Sequence, residues 1–190
     1  MSGAMRMSKL TYFAEFFLFP PLISILLIAT LRGHVQAWLA SYLLGLTAWT
    51  LIEYLLHRFV FHHVPVLSEL HEKHHHRPLE LIGTPAWVSV VAAIFGFAVP
   101  LYFLIGTEPA AAMTSGLMTG YLAYVFVHYA THHFRVQPNS YLYRARLRHA
   151  AHHYRGGDVN FGVTTGFWDY VFGTAWKTER SRVRPPRELH

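Results

Sequence analysis

Four apolar runs dominate this chain, and each is long enough to cross a lipid bilayer. Residues 10–31, 37–56, 85–105 and 110–129 carry few charges, and about 20 such residues span the hydrocarbon as an α-helix. Inside the bilayer every backbone N–H and C=O must find a partner within the protein, which a helix provides by itself. Charged residues make up only 14% of the sequence and hydrophobic ones 53%. The expected fold class is therefore all-α: an integral membrane protein of four transmembrane helices in a single domain, residues 1–190. The first run is too long for a signal peptide, and no cleavage site follows it. Pro20-Pro21 should kink this helix near its middle. Glu15, at its start, is expected near the headgroups with its carboxylate reaching to water.

Where the spans end matters as much as where they run. Seven of the fifteen histidines fall between Glu53 and His76, directly after the second span. The fourth span ends in His128-Tyr-Ala-Thr-His132-His133. Four crossings bring both histidine-bearing ends to one side of the membrane. Of sixteen Lys and Arg, only Arg32 falls in a turn on the other side. The positive-inside rule makes the histidine side, with both termini, cytoplasmic. The net charge of +6 then suits anionic lipid headgroups. No nucleic-acid motif accompanies the arginines, so nucleic acid is not an expected partner. The expected cytoplasmic cap comprises residues 57–84 and 130–176. In it, Asn139-Ser140 opens a basic helix through Tyr154, and Arg155-Gly156-Gly157-Asp158 makes a turn. The tail from residue 177 is basic and expected to be loose.

The histidines fall into four groups at ligand spacing. His57 and His62 form H-x4-H. His71, His74 and His75 form H-x2-HH. His128 and His132 form H-x3-H, and His149, His152 and His153 repeat H-x2-HH. Steps of three and four place imidazoles on one helix face. The five-residue step from His57 to His62 does not, so His62 is expected beyond the helix end or at a second metal. Ten imidazoles exceed one ion, and two ions with about five nitrogens each is the economical count. With no cysteine in the chain, the donors are nitrogen, which suits iron and also zinc, copper or nickel. His34, His63, His76 and His190 fall outside the spacing and are expected to be ordinary interfacial or core residues. Glu53 lies one turn before His57 and is expected to orient a ligand imidazole, or else to pair with Arg58 or another basic group. Asp158, Asp169, Glu69 and Glu72 are candidates to balance the charge of a cationic site. Arg144, Arg146 and Arg148 could hold an anionic headgroup or simply sit on the membrane.

With these boxes in this order, the sequence resembles the fatty acid hydroxylase and sterol desaturase superfamily, membrane di-iron oxygenases with histidine boxes. The match covers about residues 47–174. It includes Glu53-Tyr-Leu-Leu-His-Arg-Phe-Val-Phe-His62, Asn160-Phe-Gly and Trp168-Asp-Tyr-Val-Phe-Gly-Thr174. Within the superfamily it is most similar to the fatty acid 2-hydroxylases of sphingolipid acyl chains. The resemblance implies two iron ions held by the ten histidines, with zinc able to replace iron in purified protein. It also implies O2 as co-substrate, a membrane lipid as substrate, and hydroxylation of its acyl chain near the polar end, such as C2. Eukaryotic 2-hydroxylases carry an N-terminal cytochrome b5 domain that these 190 residues lack. Electrons are therefore expected from a separate donor of ferredoxin or cytochrome b5 type. Those enzymes have Tyr-Asp before the third box; here it is Tyr124-Val125, so only Tyr124 carries over. Tyr124 and Asp158 are the candidates for a supporting role at the metals.

Two other readings start from the same residues. Carotenoid ring hydroxylases, and sterol-type oxidases of the same superfamily, are the enzymatic alternative. The former have H-x4-H as third box, which His128 and His133 also satisfy. A membrane metal transporter is the non-enzymatic alternative, but it would place ligands near mid-bilayer, and here they crowd the cytoplasmic ends. The expected location is the inner membrane of a bacterium or the endoplasmic reticulum of a eukaryote.

Overall fold

The structure, a computed structural model, describes residues 7–30 and 34–176. The Arg32-Gly33 turn and the basic tail, with His190, lie outside the described residues. Among those described, all regular structure is helical. Four helical stretches are long and apolar enough to cross a membrane: Lys9–Thr30, Val35–Phe61, Ala86–Ile105 and Thr107–His133.

The first stretch begins as α1 (Lys9–Tyr12), where the Ser8 hydroxyl accepts from the Thr11 N–H. It breaks at Phe13 and Ala14 and resumes as α2 (Glu15–Thr30). The interruption therefore falls ahead of Pro20-Pro21, and helical structure continues across both prolines. The second stretch is α3 (Val35–Leu55), prolonged by a π-helical turn from Leu56 to Phe61. The third is α5 (Ala86–Val91), a second π-helical turn over Ala92–Ala98, and α6 (Val99–Ile105). The fourth, α7 (Thr107–His133), is a single helix that carries the third box in its last two turns. Between these stretches and after them come the cap helices: α4 (Leu67–His76), α8 (Tyr141–Tyr154) and α9 (Phe167–Val171). Ser140 caps α8 by accepting from the Tyr143 N–H at 3.1 Å, as Asn139-Ser140 promises.

The core of the bundle is the contact of α3 with α7. The apolar effect does not drive helices together in lipid, so close backbone approach has to. A Cβ on Gly45 would lie 2.1 Å from the Met113 carbonyl oxygen, and one on Gly116 would lie 2.0 Å from that of Tyr42. The two helices thus touch backbone to backbone. Ala110, Ala111, Ala112 and Ser115 of α7 are buried as well. The third stretch is the contrast: Phe95, Phe103 and Leu104 are largely exposed, as suits a helix whose surroundings are lipid.

Candidate metal centre

All ten box histidines come together, in two cages. His57, His62, His71, His75 and His152 offer nitrogens that all lie within 4.8 Å of one another. His74, His128, His132, His149 and His153 do the same. Each H-x2-HH box is divided between them. Its i and i+4 members enter one cage, and the residue between turns to the other. Thus His71 and His75 of α4 join the first cage while His74 crosses to the second. In mirror fashion, His149 and His153 of α8 join the second while His152 crosses to the first.

The five-residue step from His57 to His62 is resolved by the π-helical turn. Its i to i+5 hydrogen bonding places residues five apart on one face. His62 is the residue that caps this turn, just past its end. The rings of His57 and His62 lie nearly parallel with centroids 5.4 Å apart, in the same cage. One extra residue per turn converts an awkward spacing into a shared target.

The polypeptide also fixes which ring nitrogen faces inward. The Phe161 carbonyl accepts from His57 Nδ1 at 2.5 Å, and the Val159 carbonyl accepts from His152 Nδ1 at 2.9 Å. A carbonyl can only accept, so Nδ1 bears the proton, and the neutral ring turns its Nε2 lone pair inward. There it meets others: His57 Nε2 lies 3.0 Å from His71 Nε2, and His62 Nε2 lies 3.3 Å from that of His152. In the second cage His74 and His128 meet at 2.9 Å, and His132 and His149 at 2.9 Å. Burial, and then the neighbouring imidazoles, depress the cap histidines: His74 to about 3, His75 to about 4, His152 to about 3 and His153 to about 2. His71 and His149 are lowered for the same reasons. Burial also lowers His62, and the charge of Asp158 opposes it. Rings that burial and one another keep neutral, with their lone pairs converging, suit a metal cation. Ligands on opposite sides of an ion lie about 4 Å apart at Zn–N or similar bond lengths of about 2 Å, so five nitrogens within 4.8 Å fit one ion.

The loop from Val159 to Thr165 holds those two carbonyls in place. Glu53, buried in α3, hydrogen-bonds neither an imidazole nor Arg58; the basic group that acts on it is Arg148. Its carboxylate accepts from the N–H groups of Val163 and Thr164 at 2.7 and 2.9 Å, and from the Thr164 hydroxyl at 2.5 Å. Asp169 is buried too, accepting from the N–H groups of Phe161 and Gly162 and from the Thr174 hydroxyl. It serves this loop and does not face the cages. Trp168 donates to Thr50 at 3.0 Å, and Tyr54 stacks on Phe172. The Asn160-Phe-Gly and Trp168 to Thr174 segments are thus one clamp on α3.

The other candidates sort plainly. Tyr124 stacks on His128 with centroids 5.6 Å apart. Asp158, Glu69 and Glu72 are exposed, and Glu72 lies 3.8 Å from His76. Arg144, Arg146 and Arg148 each donate to a backbone carbonyl, of Asn139, Phe134 and Val163. His34 and His63 are exposed, and His133 stacks on Tyr129 with centroids 4.2 Å apart. The third box is therefore the H-x3-H pair, and H-x4-H does not form.

Two cavities adjoin the cages. One, of about 130 Å³, is mostly apolar and reaches His71, His74 and His128. Tyr124, Val125 and Leu70 line it further out. The other, of about 670 Å³, is more polar and borders His62, His71, His75 and His153. Glu15 is a surprise in the first. It is 5% exposed and does not reach water as expected. The hydroxyls of Ser89 and Tyr121 both reach its Oε1, Ser89 at 2.6 Å. A carboxylate set inside an apolar run was the one signal for this arrangement.

Four apolar crossings bearing two five-imidazole cages define a membrane metalloprotein of the histidine-box kind. The model of the fatty acid hydroxylase family matches residues 42–174, and the chain belongs to that family. It is 34% identical over 151 residues to fatty acid 2-hydroxylase of Rattus norvegicus, covering 73% of this chain and 40% of that one. It is 37% identical over 147 residues to the ceramide very long chain fatty acid hydroxylase SCS7 of Saccharomyces cerevisiae, covering 68% of this chain and 36% of that one. The chain thus spans about 40% of the length of the rat relative. The solved structure of full-length scs7p, in which only the hydroxylase domain is visible, superposes with a TM-score of 0.77 at 27% identity. The superposition covers 88% of this chain and 67% of that one.

Proposed function

We propose that this protein is an O2-dependent di-iron hydroxylase of a membrane lipid acyl chain, attacking near the polar end, with C2 of an amide-linked chain as the leading position. The observation that carries the proposal is the apolar cavity that touches both cages, through His71 of the first and His74 and His128 of the second. The names of the rat and yeast relatives, as fatty acid or ceramide hydroxylases, support the same reading.

Unactivated C–H bonds need an oxidant that no side chain supplies, and two iron ions held by the ten histidines would supply it. The overall reaction inserts one oxygen atom of O2 into a C–H bond and reduces the other to water, consuming two electrons and two protons. A donor protein of ferredoxin or cytochrome b5 type provides the electrons. The cages face the cytoplasm, a placement that the distribution of Lys and Arg supports.

The chain's own residues hold and aim. Phe161 and Val159 fix the tautomers of His57 and His152. Glu53 and Asp169 fix those carbonyls in turn. Tyr124 walls the cavity beside His128, and the apolar lining keeps water from an acyl chain laid along it.

The test is lipid mass spectrometry of a host with and without the gene, with fragmentation that locates the new hydroxyl. A hydroxyl near the headgroup end is expected. Product only at mid-chain or on a carotenoid ring would overturn the position, and no lipid product under any reductant would overturn the activity. Metal analysis of active protein should give two irons per chain.

A further inference from the structure

We propose that Glu15, held by Ser89 and Tyr121, is a polar anchor that takes a hydrogen-bond donor of the lipid substrate, an O–H or amide N–H, inside the apolar cavity. This rests on the hydroxylase reading above.

The argument starts from cost. A carboxylate in a membrane-spanning stretch is expensive and is kept where it meets protein or a cavity. Glu15 meets both. Its Oε1 is occupied by two hydroxyls from two other helices, Ser89 of α5 and Tyr121 of α7. Among the described residues its Oε2 has no hydrogen-bond partner, yet it is not among the sealed, unpartnered buried atoms. That oxygen therefore opens onto space, and the space Glu15 borders is the cavity that ends at His71, His74 and His128. A carboxylate presents several lone pairs and no proton of its own when ionised, so what it selects is a donor.

Purely architectural use of Glu15 would explain Oε1 and leave Oε2 without purpose. The aromatic packing around Tyr121, with Phe19 and Trp49 both edge-on to its ring at 5.4 and 5.3 Å, fixes the phenol that positions the carboxylate. The anchor also sits at a useful depth. Tyr121 and His128 are seven residues apart on α7, about 10 Å at 1.5 Å per residue. Glu15 therefore lies about two helical turns from the cages, and a lipid donor bound there sets how far its chain extends towards them.

The experiment compares two probes with the same acyl chain, dihydroceramide and its counterpart with the hydroxyls and amide nitrogen methylated. Binding to the full chain in lipid nanodiscs is measured by competition. The wild type should prefer the donor-bearing probe on the order of 10- to 100-fold, as a buried charged acceptor discriminates. Glu15→Leu should erase that preference while its metal content stays at the wild-type value. Equal binding of both probes by the wild type, or an intact preference in Glu15→Leu, overturns the proposal. If Glu15→Leu fails to retain metal, Ser89→Ala combined with Tyr121→Phe decides: the preference should fall, and its persistence overturns the proposal. Lipid hydroxylation in cells is scored separately. Activity without donor preference removes only the Glu15 anchor, whereas absence of any lipid product in the wild type removes the hydroxylase reading beneath it.

Discussion

His75 and His153 lie face to face across the seam between the two cages, with ring centroids 4.2 Å apart and an angle of 11° between the planes. One belongs to the first cage and the other to the second. The seam is thus a packed aromatic contact, and each ring braces its counterpart in the other cage.

Replacing either ring should therefore disturb both cages. His75→Ala and His153→Ala are each expected to abolish lipid hydroxylation and to weaken metal retention by at least roughly 10- to 100-fold, the cost typical of even an outer partner of a ligand. His63→Ala, at an exposed position, should leave both unchanged. Metal analysis after chelator dialysis, alongside lipid analysis of expressing cells, checks this.

The choice between His132 and His133 is equally sharp. His132→Ala should lower metal content, because its nitrogen faces His149 at 2.9 Å. His133→Ala should retain it, because its ring lies on Tyr129. The reverse pattern would restore H-x4-H as the third box.

Glu53→Ala leaves the buried Val163 N–H and the part-buried Thr164 N–H without their acceptor, at a cost of about 2 to 5 kcal/mol. Because those groups belong to the loop that carries the Phe161 carbonyl, metal binding by His57 should weaken together with thermal stability. Glu53→Gln keeps one carbonyl oxygen for the same N–H groups and should lie between. Thermal unfolding and metal content, measured on all three proteins, test the order.

Asp158→Asn and Asp169→Asn should part company. Asp169 binds three donors out of contact with solvent, and an amide nitrogen in place of one oxygen faces an N–H or hydroxyl donor. Asp158 is exposed, so its amide should cost less than about 0.5 kcal/mol. Equal loss in both would contradict the clamp described for this loop.

Gly116→Ala adds a methyl 2.0 Å from the Tyr42 carbonyl oxygen. The gain in helix propensity, about 1 kcal/mol, is outweighed by forcing two backbones apart, at roughly 3 kcal/mol or more. A lowered unfolding midpoint in detergent is the expected reading.

Much of this molecule is written in local pattern. Runs of apolar residues give the four crossings, and steps of three and four give eight of the ten histidine positions, because both depend on helix periodicity alone. The other two, His57 and His62, are brought together by a π-helical turn whose extra residue no spacing rule announces. Glu53 sits one turn from His57, which invites a partnership along the helix; its real partners are 110 and 111 residues away. Glu15 likewise points inwards only because Ser89 and Tyr121, from two other helices, are there to receive it. Contacts of that range are properties of the assembled bundle. The same holds for His133, whose spacing serves as well as that of His132 until the helix is rotated against its neighbours.

The hydrogen bond from His57 to Phe161 also sets an order of events during synthesis. Chains emerge from the ribosome amino end first, so His57 is made and delivered to the membrane 104 residues before the carbonyl that fixes its proton. Until then its ring is free to present either nitrogen. A nascent chain can thus gather histidines early, but the first cage acquires its final tautomer only when the clamp on α3 closes. Metal loading of that cage is in this sense a late step, timed by the carboxyl-terminal segment.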